Sequence, residues 1–85
     1  MELEIITPDK KLFNDKIFLV QLPGTKGSFE ILDNHAPIIS TLEKGVMKVI
    51  DNSNKTTFFE ISGGVVECHD NKTVVLVQSG KVSER

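Results

Sequence analysis

The sequence contains no tryptophan and no tyrosine, a single cysteine, two histidines and a single alanine. Each shortage removes a class of answer. One thiol, Cys68, cannot close an internal disulfide, so the fold does not depend on an oxidising compartment. Two imidazoles, His35 and His69, do not supply the several ligands of a catalytic zinc site, nor a nucleophile with a base and an orienting partner. Neighbouring residues on a strand point to opposite faces, so Cys68 and His69 cannot jointly hold a metal, and Cys68 is expected as a small buried residue. The residues therefore suggest no metal, no cofactor and no catalytic group. Charge of one sign is also missing: 10 Lys and Arg stand against 12 Asp and Glu, a net −2, and they are scattered. That balance gives no general attraction to nucleic acid or anionic lipid. No apolar run approaches the ~18 residues needed to span a bilayer. Met1-Glu2-Leu3-Glu4 is acidic where a secretory signal is basic, so a cytoplasmic location is expected. In that setting the Asn-Lys-Thr triplets at Asn54 and Asn71 read as turns, not glycosylation sites.

What remains is rich in Val, Ile and Phe within 85 residues. A chain of this length makes one domain with a thin core, burying roughly two-thirds of its unfolded surface. β-Branched and aromatic residues without alanine favour strands over helices. Leu3 and Ile5 alternate with acidic residues in a first strand that Thr7-Pro8-Asp9-Lys10 ends. Lys11-Leu12-Phe13 reads as a short second strand before an Asn14-Asp15 turn. Lys16 to Leu22 is a longer one, with Phe18, Val20 and Leu22 on one side and Ile17, Leu19 and Gln21 on the other, stopped by Pro23-Gly24. Further strands follow at Ile38–Leu42, Val46–Ile50, Thr56–Ile61, Val65–Cys68 and Thr73–Val77, with a hairpin tip at Asp51-Asn52-Ser53-Asn54-Lys55. Turns recur roughly every eight to twelve residues, the rhythm of a small sandwich or barrel. The expected architecture is all-β, a domain over residues 1–78 with about nine or ten short strands. Residues 79–85 are polar and are expected to fray as a tail.

The least generic stretch runs from Gly24 to Pro37. Gly24 and Gly27 around Thr25-Lys26 allow a tight reversal, Phe29, Ile31 and Leu32 are strand formers, and Pro37 forbids a helix and keeps Ala36 extended. Gly24-Thr25-Lys26-Gly27-Ser28 has the look of a phosphate cradle. A P-loop, however, needs its Lys after the last Gly and a helix N-terminus behind it, and here Lys26 precedes Gly27 and a strand follows. Ser62-Gly63-Gly64 lies between strands, where glycine marks a bulge or a close approach of backbones. His35 has no carboxylate or thiol pattern around it and reads as a turn or interface residue, not a base. Val46-Met47-Lys48-Val49 partly resembles the modified-lysine motif of biotinyl and lipoyl carrier domains. In those carriers the lysine sits at a hairpin tip, whereas turn chemistry places the tip here at Asp51–Lys55 and Lys48 within a strand. A carrier modified at Lys48 is the alternative reading.

Taken together, the motifs resemble one family, the epsilon subunit of the bacterial F-type ATP synthase. The resemblance rests on Val20-Gln21-Leu22 before Gly24, and on Gly27-Ser28-Phe29-Glu30-Ile31 leading to His35-Ala36-Pro37. Lys44-Gly45 before a strand and Ser62-Gly63-Gly64-Val65-Val66-Glu67 followed by Val74-Val75-Leu76-Val77 complete it. It implies a flattened β-sandwich, non-catalytic, in the central stalk of the rotor. There it would pack on the gamma subunit and rest on the c-ring, passing proton- or sodium-driven rotation to the catalytic head. It further implies a peripheral place on the cytoplasmic face of the bacterial inner membrane, held through the complex without lipid insertion. By the same resemblance Thr25, Lys26, Ser28, Phe29, Glu30, Ile31, Asn34 and His35 are expected to contact gamma and the c-ring, with Gly24, Gly27, Pro37, Gly63 and Gly64 shaping turns and bulges. Glu30 and Asn34 stand where glycine is common, and Gln78-Ser79-Gly80 replaces the usual end of the last strand. Longer members continue into an inhibitory, ATP-sensing helical hairpin. A sequence stopping at Arg85 is expected to be a short form without it.

Overall fold

A computed structural model describes residues 1–83 as nine strands, and no helix occurs among the described residues. They are β1 (Glu2–Ile6), β2 (Lys11–Gly24), β3 (Gly27–Leu32), β4 (Ile38–Leu42), β5 (Gly45–Asp51), β6 (Thr56–Ile61), β7 (Gly64–His69), β8 (Lys72–Val77) and β9 (Gly80–Ser83). The path β1-β8-β7-β4-β2-β5-β6-β9 is hydrogen-bonded throughout, β3 adds to β2, and β1 also pairs with β2. Among the described strands, only the β1–β8 pair is parallel.

The folding of this path into two layers depends on β2. Its first half pairs with β1, Glu2 opposite Lys16 and Ile5 opposite Phe13. Its second half lies between β3 and β5, Val20 opposite both Ile31 and Val49. Fourteen residues at about 3.3 Å each would span on the order of 45 Å, yet the molecule measures 26 × 25 × 24 Å. The strand must therefore bend, and it does so where the register with β5 shifts between Ile17 and Leu19, as a bulge does. Near-equal extents mean that the flattening expected of the sandwich is slight.

This bend corrects two expectations. Lys11–Phe13 and Lys16–Leu22 are one strand: Asn14 and Asp15 do not turn, because they pair with Glu4 and Leu3 of β1. Phe18 does not share the inner face with Val20 and Leu22; the bulge turns it outward, 51% exposed, and Ile17 takes the inner position. Pro23 and Gly24 also remain in the strand, opposite Ser28 and Gly27. At the other end of the chain, residues 80–83 are not a fraying tail but β9, paired with β6 from Phe58–Ser83 to Ile61–Gly80. The strand is polar because it is an edge, where one side of the backbone faces water. The remainder of the expected tail, residues 84–85, lies outside the described residues.

The core is a single cluster that includes Leu3, Ile5, Ile17, Val20, Leu22, Ile31, Met47, Val49, Phe59, Val66 and Val75. Phe13 and Phe59 meet edge to face at 5.7 Å and 78°, joining the first half of β2 to β6 in the favoured aromatic geometry. Cys68 is buried as expected. Thr73, also buried, donates its hydroxyl to the Met1 sulfur at 3.2 Å. Gly64 is required by packing, since a Cβ there would lie 2.0 Å from the Leu76 carbonyl oxygen, the close approach of backbones expected at Ser62-Gly63-Gly64.

Candidate protein-contact site

The expected contact residues fall at three places along β3. Thr25 and Lys26 form the two-residue turn between Gly24 and Gly27, which face each other at the end of the β2–β3 ladder. Gly27 has φ 129°, which a side chain adopts only with strain. Gly24 is needed for space: a Cβ would meet the Gly27 carbonyl oxygen at 2.6 Å and the Phe29 ring at 2.8 Å. The tip is then tied to β4. The Thr25 amide donates to the Thr41 carbonyl at 3.2 Å, the two threonine hydroxyls are 2.8 Å apart, and the Glu43 amide donates to the Pro23 carbonyl at 2.9 Å. Gln21 donates its side-chain amide to the Ser28 hydroxyl at 3.2 Å. Thr25, Lys26 and Ser28 are exposed and available to a partner.

In the middle of β3, alternation decides the roles. Glu30 faces water, Phe29 is half-buried against the core, and Ile31 is fully buried opposite Val20. The expectation that Ile31 touches a partner is thus corrected. Its side chain points inward because residues two apart on a strand share a face, and Ile31 shares the inner face with Phe29. Phe29 supports the tip from beneath through Gly24 and offers only part of its ring.

Asn34 and His35 lie beyond the far end of β3, a strand roughly 17 Å long at about 3.3 Å per residue. The His35 amide donates to the Leu32 carbonyl at 3.1 Å and closes the turn. His35 Nδ1 lies 2.7 Å from the Ala36 carbonyl oxygen, a bond that holds the ring in place. Asn34 has φ 63°, a left-handed position that asparagine tolerates better than most residues with a side chain. Two residues that the sequence reading did not single out for function complete the turn. Asp33 Oδ1 accepts from the Met1 ammonium at 2.7 Å and from Asn71 Nδ2 at 3.1 Å, while Asn71 Oδ1 accepts from the Asn34 amide at 2.6 Å. The ammonium, then the Asn71 amide, hold the Asp33 carboxyl below its ordinary pKa. Asn71 was legible only as a turn residue of the β7–β8 hairpin; nothing local shows that its side chain reaches across 38 residues.

Lys48 lies inside β5, opposite Gln21 and Phe58. The hairpin tip is at Asp51–Lys55 as expected, built by Asp51 Oδ1 accepting the Ser53 and Lys55 amides at 2.8 and 2.9 Å. The tip-borne lysine of a carrier domain is not what this geometry presents. Several apolar side chains also face outward: Ile39 is 72% exposed on β4, and on the same outer face of the sheet Val65 and Leu76 sit opposite each other on β7 and β8.

Residues 1–81 match the family described as "ATP synthase, Delta/Epsilon chain, beta-sandwich domain". The chain is 39% identical over 82 residues to the ATP synthase epsilon chain of Pelotomaculum thermopropionicum, covering 96% of this chain and 60% of that one. It is 38% identical to the ATP synthase epsilon chain of Campylobacter concisus, covering 89% and 59%. The chain thus spans about three-fifths of the length of these curated relatives. Among solved structures, its fold superposes on a chain of the Euglena gracilis mitochondrial ATP synthase (OSCP/F1/c-ring, rotational state 1) with a TM-score of 0.89 at 17% identity, covering 94% of this chain and 51% of that one. A chain of the Tetrahymena thermophila mitochondrial ATP synthase central stalk and c-ring gives 0.81 at 24%, covering 95% and 65%. At these identities the two structures show the shared fold.

Proposed function

The chain belongs to the ATP synthase delta/epsilon family, and from that premise we propose that it is the β-sandwich of a non-catalytic central-stalk subunit that couples c-ring rotation to gamma. The observation that carries this reading is the match to the family's β-sandwich domain over residues 1–81. The contact residues support it by their placement. Thr25, Lys26 and Ser28 stand at one end of β3 and Asn34 and His35 at the other, with Glu30 between them. Two exposed ends of a strand roughly 17 Å long at about 3.3 Å per residue suit a domain held between two partners, gamma and the c-ring. The outward Ile39, Val65 and Leu76 add apolar surface of the kind that protein partners cover. The subunit would sit on the cytoplasmic face of the bacterial inner membrane through these contacts, with either protons or sodium ions driving the ring.

Binding of the purified protein to gamma, alone and assembled with the c-ring, tests the proposal. Association with gamma at micromolar concentration is expected, and its absence would sink the reading. With two partners, Lys26→Glu and His35→Ala should each weaken one association more than the other. Equal effects on both would argue against separate contact ends.

A further inference from the structure

We infer that Asn71 is a positioning residue for the Asn34–His35 contact turn, holding it in its binding shape from the β7–β8 hairpin. This rests on the proposed docking to gamma and the c-ring and deepens it.

The turn between β3 and β4 has little packing to fix it. Leu32, Asp33, Asn34, Ala36 and Pro37 are all exposed and His35 is half-buried. An exposed segment with few buried contacts opens locally unless polar bonds hold it. Asn71 supplies two such bonds to consecutive residues, its oxygen to the Asn34 amide and its nitrogen to the Asp33 carboxylate. The backbone N–H of Asn34 must meet an acceptor, which fixes the orientation of the Asn71 amide and leaves its NH₂ toward Asp33. A primary amide is suited to this place because it carries a donor and an acceptor on one carbon. Aspartate could accept from Asn34 but would oppose Asp33. The Asn71 backbone carbonyl separately accepts from the Glu2 amide at 3.2 Å, and the Met1 ammonium lies on Asp33. The turn is thereby joined to the start of β1 as well. Asn71 itself holds φ 58° in the turn between β7 and β8, so its side chain is delivered from a connection between two paired strands. A contact loop ordered before binding loses less freedom on association, which favours affinity.

The test uses the full protein with Asn71→Gly, which keeps the left-handed turn and removes only the side chain. Hydrogen exchange at the Asn34 amide should quicken about tenfold as local opening becomes easier. Affinity for purified gamma, alone or with the c-ring, should fall about five- to tenfold as preordering is lost, with the thermal midpoint near that of the unmodified protein. The double variant Asp33→Asn with Asn71→Asp exchanges donor and acceptor across the pair and should recover slow exchange and binding, whereas Asn71→Asp alone should not. Unchanged exchange in Asn71→Gly, or faster exchange with unchanged binding, overturns the positioning role while leaving the docking proposal intact. If the unmodified protein binds neither partner, the docking proposal fails and the positioning role fails with it.

Discussion

The two ends of β3 are both exposed, both carry expected contact residues, and are built in opposite ways. The Thr25-Lys26 tip takes its shape from backbone geometry, a two-residue turn with Gly27 at φ 129° and a Gly24 that must stay bare above the Phe29 ring, and is then tied to β4 through Thr41. The Asp33–His35 turn is held from outside, by Asn71 across 37 and 38 residues and by the Met1 ammonium. One takes its shape locally and gains ties to the neighbouring β4, whereas the other depends on side chains and a terminus far away in the chain. A local turn survives loss of distant contacts and fails by crowding, whereas a tertiary turn fails when any of its remote partners is lost.

The largest test breaks both ends together. Ile31→Asp would put an unpaired carboxylate into a fully buried site, and a cost of several kcal/mol should leave the chain unfolded by circular dichroism. The milder Ile31→Ala should cost about 2–5 kcal/mol in a denaturant melt. A folded Ile31→Asp protein with lowered gamma affinity would instead restore this residue to the contact surface. Next in size is Gly24→Ala, which crowds the Phe29 ring and the Gly27 carbonyl and should cost about 1–3 kcal/mol. Amide shifts should move at the tip and at Thr41 while Asn34 and His35 stay put. Shifts spreading to Asn71 would show that the two ends are not independent.

Smaller again is the contrast at Asn34. Asn34→Gly should be tolerated within about 0.5 kcal/mol, since glycine accepts positive φ and keeps the amide bonded to Asn71. Asn34→Val should cost about 1–2 kcal/mol or somewhat more for a β-branched residue. Equal stability of the two would mean that the left-handed geometry is not maintained in solution. The smallest effect is that of pH. The Asp33 carboxyl is held low by the Met1 ammonium and Asn71, and Glu4 is held low by its bond from Lys11 at 2.9 Å, with Lys72 at 3.6 Å. A carboxyl with a depressed folded pKa adds stability that is fully present above the ordinary value of about 4 and is lost as pH falls through the lower folded value. The melting midpoint should therefore drop below about pH 4, and Asp33→Asn should make that drop shallower. An acid limb identical to the unmodified protein's would remove Asp33 from the network.

Much of the fold was legible because strand formation, turn chemistry and burial leave local traces. The Asp51–Lys55 tip follows from residues that bond their own backbone, and the close approach at Ser62-Gly63-Gly64 follows from the missing Cβ. Along β3, Phe29, Glu30 and Ile31 were all expected as contacts. Which face was inward did not follow, because that depends on the layer brought against it. The same limit applied to Asn14-Asp15. Their composition favours a turn, yet pairing with β1 held them extended and moved the bend to Ile17–Leu19. It applied to residues 80–83 too, whose polarity reads as a tail until the open edge of β6 gives them a ladder.

By itself, then, the sequence determined the all-β class, the family through collinear motifs, and the tip at Thr25-Lys26, since each depends on residues near one another in the chain. Only the tertiary structure decided that Ile31 is core, that the expected contact residues occupy two separate ends, and that Asp33, Asn71 and Met1 meet. Those facts depend on pairing between distant segments, and a side chain's reach across 38 residues leaves no periodicity or turn signal in the sequence around it.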